Sequence, residues 1–206
     1  MLNVLHLLSA LIGLFLHGPV AGHLRDLPRY NRCGGPPMAQ VLTDLVDAAE
    51  LHYVPPTVLL STCLIESGLN PCGRFCGVRP SYQEWACAHG ANCEVDSALP
   101  PRRIELQTQL RVSAFLLSRQ YQRARNGSWT YAVQGFHLGD NPQRLAACPP
   151  WHRHGDSHHG VYSFIVMGIA RRVTDAMGVQ EPYSVAEESE EVLWADSQRR
   201  TRIARR

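Results

Sequence analysis

Apolar residues recur at helical spacing along several stretches of the chain, and strict alternation of the kind that marks a strand is scarce. Val41, Leu42, Leu45, Val46 and Ala49 share one face and predict a helix from about Ala39 to His52. Pro55-Pro56 opens a second helix, since proline is well tolerated in a first turn. It runs through Val58, Leu59, Leu60, Cys63, Leu64 and Ile65 and ends at Gly68, with Asn70-Pro71 as a stop. A third helix is predicted from Arg103 to about Arg125, carrying Ile104, Leu106, Leu110, Phe115, Leu116 and Leu117. After an Asn126-Gly127 turn, a short helix covers Trp129 to Leu138, and a last one runs from about Val161 to Met177. Between the second and third helices, residues 72 to 101 hold cysteines, aromatics and prolines without a period. They read as an irregular insertion. Asp140 to Gly160 form a polar, histidine-rich loop. The pattern predicts a mainly α domain over residues 39–178 with an irregular, cysteine-rich insertion.

The flanks differ from this body. No charged side chain precedes Arg25, Leu7 to Leu16 are apolar, and Val20-Ala21-Gly22 offer the small residues of a signal-peptidase site. A signal peptide over residues 1–22, cut after Gly22, is expected, with an uncleaved membrane anchor as the alternative. The apolar run is shorter than the ~20 residues of a membrane span, so no stable span is expected. Residues 23–38 are a linker rich in proline and glycine. From residue 179 a flexible charged tail follows, with an acidic block from Glu187 to Glu191 and then arginines.

Composition narrows the class further. The 206 residues suit one domain with short flanks, and a 45% hydrophobic share is ordinary for a packed core. A net charge of +2 is too mild to argue for nucleic acid, and no such partner is expected. Export places the seven cysteines (33, 63, 72, 76, 87, 93 and 148) in an oxidising compartment, periplasmic or extracellular, where they read as disulfides. The spacing of 72, 76, 87 and 93 lacks the paired C-x-x-C knuckles of a zinc site. An odd count leaves one thiol free or paired outside the chain.

The second helix carries the chemistry. No charged residue occurs from Tyr53 to Ile65, and then comes Glu66. At 100° per residue, Glu66 lies about 20° from Leu59 and about 60° from Cys63, on an apolar stripe. It also sits at the helix C-terminus, where the dipole disfavours negative charge. Both effects favour the protonated form, as a general acid working near neutrality requires. The alternative is a helix-end glutamate turned to solvent.

Ile65-Glu66-Ser67-Gly68-Leu69-Asn70-Pro71 resembles the catalytic motif of the soluble lytic transglycosylase and goose-type lysozyme superfamily. Asn126 to Gly139 is similar to a second family segment, with Phe136-His137-Leu138-Gly139 at the Tyr-Asn-x-Gly position. Tyr162 stands where the family has a tyrosine or similar residue near the cleft. The matches span about residues 39 to 177 in the family's order. The resemblance implies a lysozyme-like helical domain in which Glu66 is the catalytic acid and base. It implies Ser67, Phe136, His137 and Tyr162 as substrate-binding residues, and no cofactor or metal. The substrate would be peptidoglycan, cut between N-acetylmuramic acid and N-acetylglucosamine. Two departures stand out: Gly77-Val78-Arg79-Pro80 replaces Gly-Leu-Met-Gln, and Phe136 lacks the family tyrosine's hydroxyl.

Hydrolysing glycosidases normally use two carboxylates, whereas a lytic transglycosylase of this family uses one and leaves a 1,6-anhydro end. Glu84, Asp96, Asp140 and Asp156 fall in no recognisable motif, which favours transglycosylation. Trp85, Trp129 and Trp151 can stack on sugars, with Trp129 at a position that is more often core. Arg79 and Arg153 can meet peptide-stem carboxylates. His152, His154, His158 and His159 with Asp156 invite a metal, against the simpler reading of a solvated loop. Two other classes compete with the enzyme: a weak lysozyme-like module that binds peptidoglycan, and a stapled structural protein. The size fits service beside a secretion, conjugation or pilus machine, and equally a phage or wall-turnover enzyme.

Overall fold

A computed structural model of the chain describes residues 35–69, 74–124, 128–139, 143 and 159–178. Proline marks the start of three helices, at the N1 position where a missing N–H costs nothing. These are α2 (Pro56–Ser67), α3 (Pro80–Ala88) and α4 (Pro101–Arg123). Before α2 lies α1 (Met38–Leu51). After α4 come α5 (Trp129–Leu138), capped by Ser128 accepting from the Tyr131 N–H, and α6 (His159–Met177). A 3-10 turn, Phe75–Gly77, stands between α2 and α3. The fold is mainly α with a cysteine-containing region, and no strand occurs among the described residues.

The predicted helices are all present, with ends shifted by a residue or two. The segment from 72 to 101 departs from expectation, because α3 forms inside it. Val78, Ala86, Ala91, Val112 and Leu116 make a small second core under this segment, with Tyr82, Trp85 and Phe115 packed against it. Disulfide Cys87–Cys93 closes the chain just after α3. A helix this short gains its stability from packing and a covalent staple rather than from propensity. The expected leader, the linker up to residue 34, the tail, the loop from 140 to 158 apart from Gln143, and Cys33, Cys72 and Cys148 lie outside the described residues.

In the main core, α2 lies against α1, α6 and the 3-10 turn, and α4 spans α1, α3 and α5. Pro56 to Leu64 are all buried, so α2 is enclosed rather than amphipathic. Its polar members are satisfied locally: Ser61 donates to the Thr57 carbonyl at 2.7 Å and Thr62 to that of Val58 at 2.9 Å. Asp44 is buried on α1 and accepts hydrogen bonds from Gln40, Arg103 and Gln107, which ties α1 to α4. A buried carboxylate needs such partners, because alone it would cost several kcal/mol.

His52, buried at the end of α1, meets Phe115 edge-on and lies 3.3 Å from the Ala91 carbonyl through Nε2. Burial, the largest cause, pushes its pKa below the usual 6.5. The unfolded chain therefore takes up this proton first as pH falls, and folded stability drops below about pH 6.5. Wild type is expected to lose more unfolding free energy than His52→Gln between about pH 7.5 and 5.5, by up to ~1.4 kcal/mol per pH unit. Urea melts at the two pH values measure this, and equal losses would contradict it.

Candidate active site

Exposure begins where α2 leaves the core. Ile65, Glu66 and Ser67 are half-buried after nine buried residues from Pro56 to Leu64. The Glu66 side chain retains 22% of its exposure, at the mouth of the core rather than in bulk solvent. Gly68, left-handed at φ 61°, ends the helix with its N–H on the Leu64 carbonyl.

The 3-10 turn is fastened directly behind this carboxylate. Disulfide Cys63–Cys76 links it to α2 one turn before Glu66. Ser67 donates its hydroxyl to the Cys63 carbonyl at 2.9 Å and accepts the Cys76 N–H at 3.2 Å. From the other side, the Phe75 N–H donates to Gln109 Oε1 at 2.6 Å, on α4. These restraints hold Cys76 at φ 54°, a left-handed conformation that a side chain disfavours. They deliver Gly77, φ +72°, against Glu66: a Cβ there would lie 2.6 Å from Oε2 and 3.2 Å from Cδ. Only glycine fits both the backbone and the space.

The other carboxylate oxygen is held from α6. Tyr162, buried, donates its hydroxyl to Glu66 Oε1 at 2.6 Å. Burial, then the Glu66 charge and the hydrogen bond to it, push the phenol pKa far up, so Tyr162 stays a neutral donor. The His137 ring, from α5, stacks on Tyr162 at 3.9 Å, with Nδ1 3.5 Å from Glu66 Oε1. That distance is a contact at the limit of hydrogen bonding. Tyr82 braces the end of α5 by donating to the Gly139 carbonyl at 2.9 Å.

No protein family, curated protein or solved structure matches this chain.

Among the residues singled out from the sequence, Glu66, His137 and Tyr162 converge within hydrogen-bonding reach. Ser67 adjoins them but spends its hydroxyl on backbone groups, which anchors the turn carrying Gly77. Phe136 packs against both hydrophobic cores, so its ring joins them beneath the site. Trp129 is core, stacked on Tyr121. Trp85 lies against His89 and under the Arg119 guanidinium, so its ring already has neighbours. Arg79 is exposed just past the turn. Glu84 is exposed on α3, and Asp96 accepts the Ala98 N–H in its own turn. Trp151, Arg153, Asp140, Asp156 and the histidines at 152, 154 and 158 lie outside the described residues, as does the side chain of His159. Two supports escaped the sequence reading, the Cys63–Cys76 bridge and Gln109. Cysteines on adjacent segments give no pairing by spacing alone, and a glutamine inside a long helix gives no signal.

Gly77→Ala is expected to cost at least about 1 kcal/mol, from the left-handed backbone alone, and to displace the Glu66 carboxylate. Urea unfolding reads the first effect and a structure of the variant the second. A variant of unchanged stability, with Glu66 still on Tyr162, would refute the close fit.

Proposed function

We propose that this chain is an exported lytic transglycosylase that cuts peptidoglycan glycan strands with Glu66 as its single acid and base. The carrying observation is the half-buried Glu66 carboxyl, fixed by the Tyr162 hydroxyl on Oε1 and bordered at Oε2 by side-chain-free Gly77. Such a group is oriented, partly desolvated and approachable, as proton transfer to a bound polymer demands. The sequence resemblance supplies the substrate class. Tyr162 also supports it by providing the hydroxyl that Phe136 cannot.

In the proposed reaction, Tyr162 keeps Oε1 occupied, so Oε2 carries the mobile proton. Glu66 gives that proton to the glycosidic oxygen, and the bond from muramic acid C1 breaks with its electron pair leaving on that oxygen. The Glu66 carboxylate then takes the proton of the muramic acid C6 hydroxyl, whose oxygen bonds to C1. The product is a 1,6-anhydro ring, and no water is consumed. The side chains that bond Glu66 among the described residues are Tyr162 and His137, neither of them a second carboxylate. The sequence resemblance favours this route over two-carboxylate hydrolysis, in which the second carboxyl faces the first across the substrate without bonding it. The two disulfides among the described residues suit an oxidising compartment, and no described helix is long and apolar enough to cross a membrane. Placement beside a secretion, conjugation or pilus machine belongs to the same proposal.

Glu66→Gln keeps the shape and the acceptor for Tyr162 but removes the transferable proton. The rate of clearing of a peptidoglycan suspension should fall at least about 100-fold, while pulldown on the same material stays unchanged. Tyr162→Phe should lose about tenfold, since one oriented hydrogen bond to a charged group is worth ~1.5 kcal/mol. Equal pulldown with no clearing by any of the three proteins would leave a glycan-binding module instead.

A further inference from the structure

A cavity of about 410 Å³ lies on the other flank of the turn that carries Gly77. Arg74, just before the turn, and Val78, just after it, both line this cavity. Glu84 from α3 and Glu105 from α4 line it too, and all three charged residues are exposed. Gln109 forms part of the wall, with one end of its amide on Phe75 and the other on Glu105 at 3.4 Å. Glu105 also has a loose partner in Arg102, 3.8 Å away on the exposed face of α4. The cavity therefore joins one guanidinium, two carboxylates and an apolar patch formed by Val78 and Pro80.

That mixture selects a ligand by chemistry. A simple anion would meet two like charges, and a simple cation would leave the guanidinium unmatched. A group with a primary amine and a carboxylate on a short hydrocarbon stem matches the charged and apolar parts of the lining. The amine meets the carboxylates, the carboxylate meets the Arg74 fork, and the methylenes cover Val78 and Pro80. We infer that this cavity binds the diamino-acid residue of a peptide stem while the glycan to which it is attached lies at Glu66. The inference rests on the reading of Glu66 as a glycan-cutting acid. The two sites share one turn: Gly77 touches Glu66, and the residues flanking it line the cavity. The third residue of a stem lies within about 10 Å of its sugar at ~3.3–3.6 Å per residue, enough to cross one turn of chain. Binding there selects peptide-bearing strands over bare ones, a preference that Glu66 and its hydrogen-bond partners cannot provide.

The test titrates the intact chain with the tripeptide L-alanyl-γ-D-glutamyl-meso-diaminopimelate, and with the same peptide acetylated at its distal amine. The comparison variants are Arg74→Ala and the pair Glu84→Gln with Glu105→Gln, whose exposed positions leave the core untouched. Wild type should bind the free-amine peptide, and each variant and the acetylated peptide should weaken binding about tenfold or more, as lost charge-assisted contacts do. The variants should cut peptide-free glycan as wild type does, but show a raised KM on peptide-bearing strands. Absence of tripeptide binding, or equal affinity in wild type and both variants, overturns the inference. Tripeptide binding that depends on these residues, in a protein that cuts no glycan, would keep the cavity assignment and remove the assignment of Glu66.

Discussion

The hydrogen bond from Tyr162 to Glu66 joins α6 to α2 at the point where α2 leaves the core, and the arrangement around it follows from that constraint. A carboxylate deep in this helix would have to surrender its hydration without return. One a turn further out would be an ordinary solvated charge. At Glu66 the side chain is half-buried, keeps one strong hydrogen bond, and has a glycine packed closely beside its other oxygen. The enclosed helix before it provides rigidity, since a stem buried on all sides has nowhere to tilt. Orientation of this kind is what the proposed single acid needs.

The turn over Glu66 is the costly part of the design. Cys76, left-handed at φ 54°, runs against the preference of an L-residue, while Gly77 beside it adopts φ 72° without that cost. The disulfide to Cys63, the Ser67 hydroxyl and the Gln109 amide each hold this turn from a different element. Together these restraints hold the turn in close approach to the Glu66 carboxyl. Gly77 of this turn lies against Glu66, and the residues that flank the turn, Arg74 and Val78, line the mixed-charge cavity. Displacing it would disturb both together.

The sequence made the helices legible because their apolar faces and proline starts are local signals. Pro55-Pro56 and Gly68 bracketed α2 within a residue, and the Glu66 stripe followed from counting. α3 was missed although Arg79-Pro80 is the same kind of start, because the cysteines and aromatics around it broke the apolar period. Its stability comes from a core shared with α4, which no local window contains. Tyr162 and His137 were legible through family resemblance, but their stacking and their meeting on Oε1 depend on how α5 crosses α6. Ser67 is expected beside substrate from the resemblance, and its bonds to Cys63 and Cys76, which no local pattern announces, anchor the turn. The Cys63–Cys76 bridge needed the fold itself.

In the proposed reaction one carboxyl does both proton transfers. The most direct measurement is mass spectrometry of the fragments that the wild-type protein releases from purified peptidoglycan. Muropeptides ending in 1,6-anhydromuramic acid are expected, each lighter by one water than its hydrolysed counterpart. Fragments with free reducing ends would contradict the proposed route, because water rather than the C6 hydroxyl would then have attacked C1.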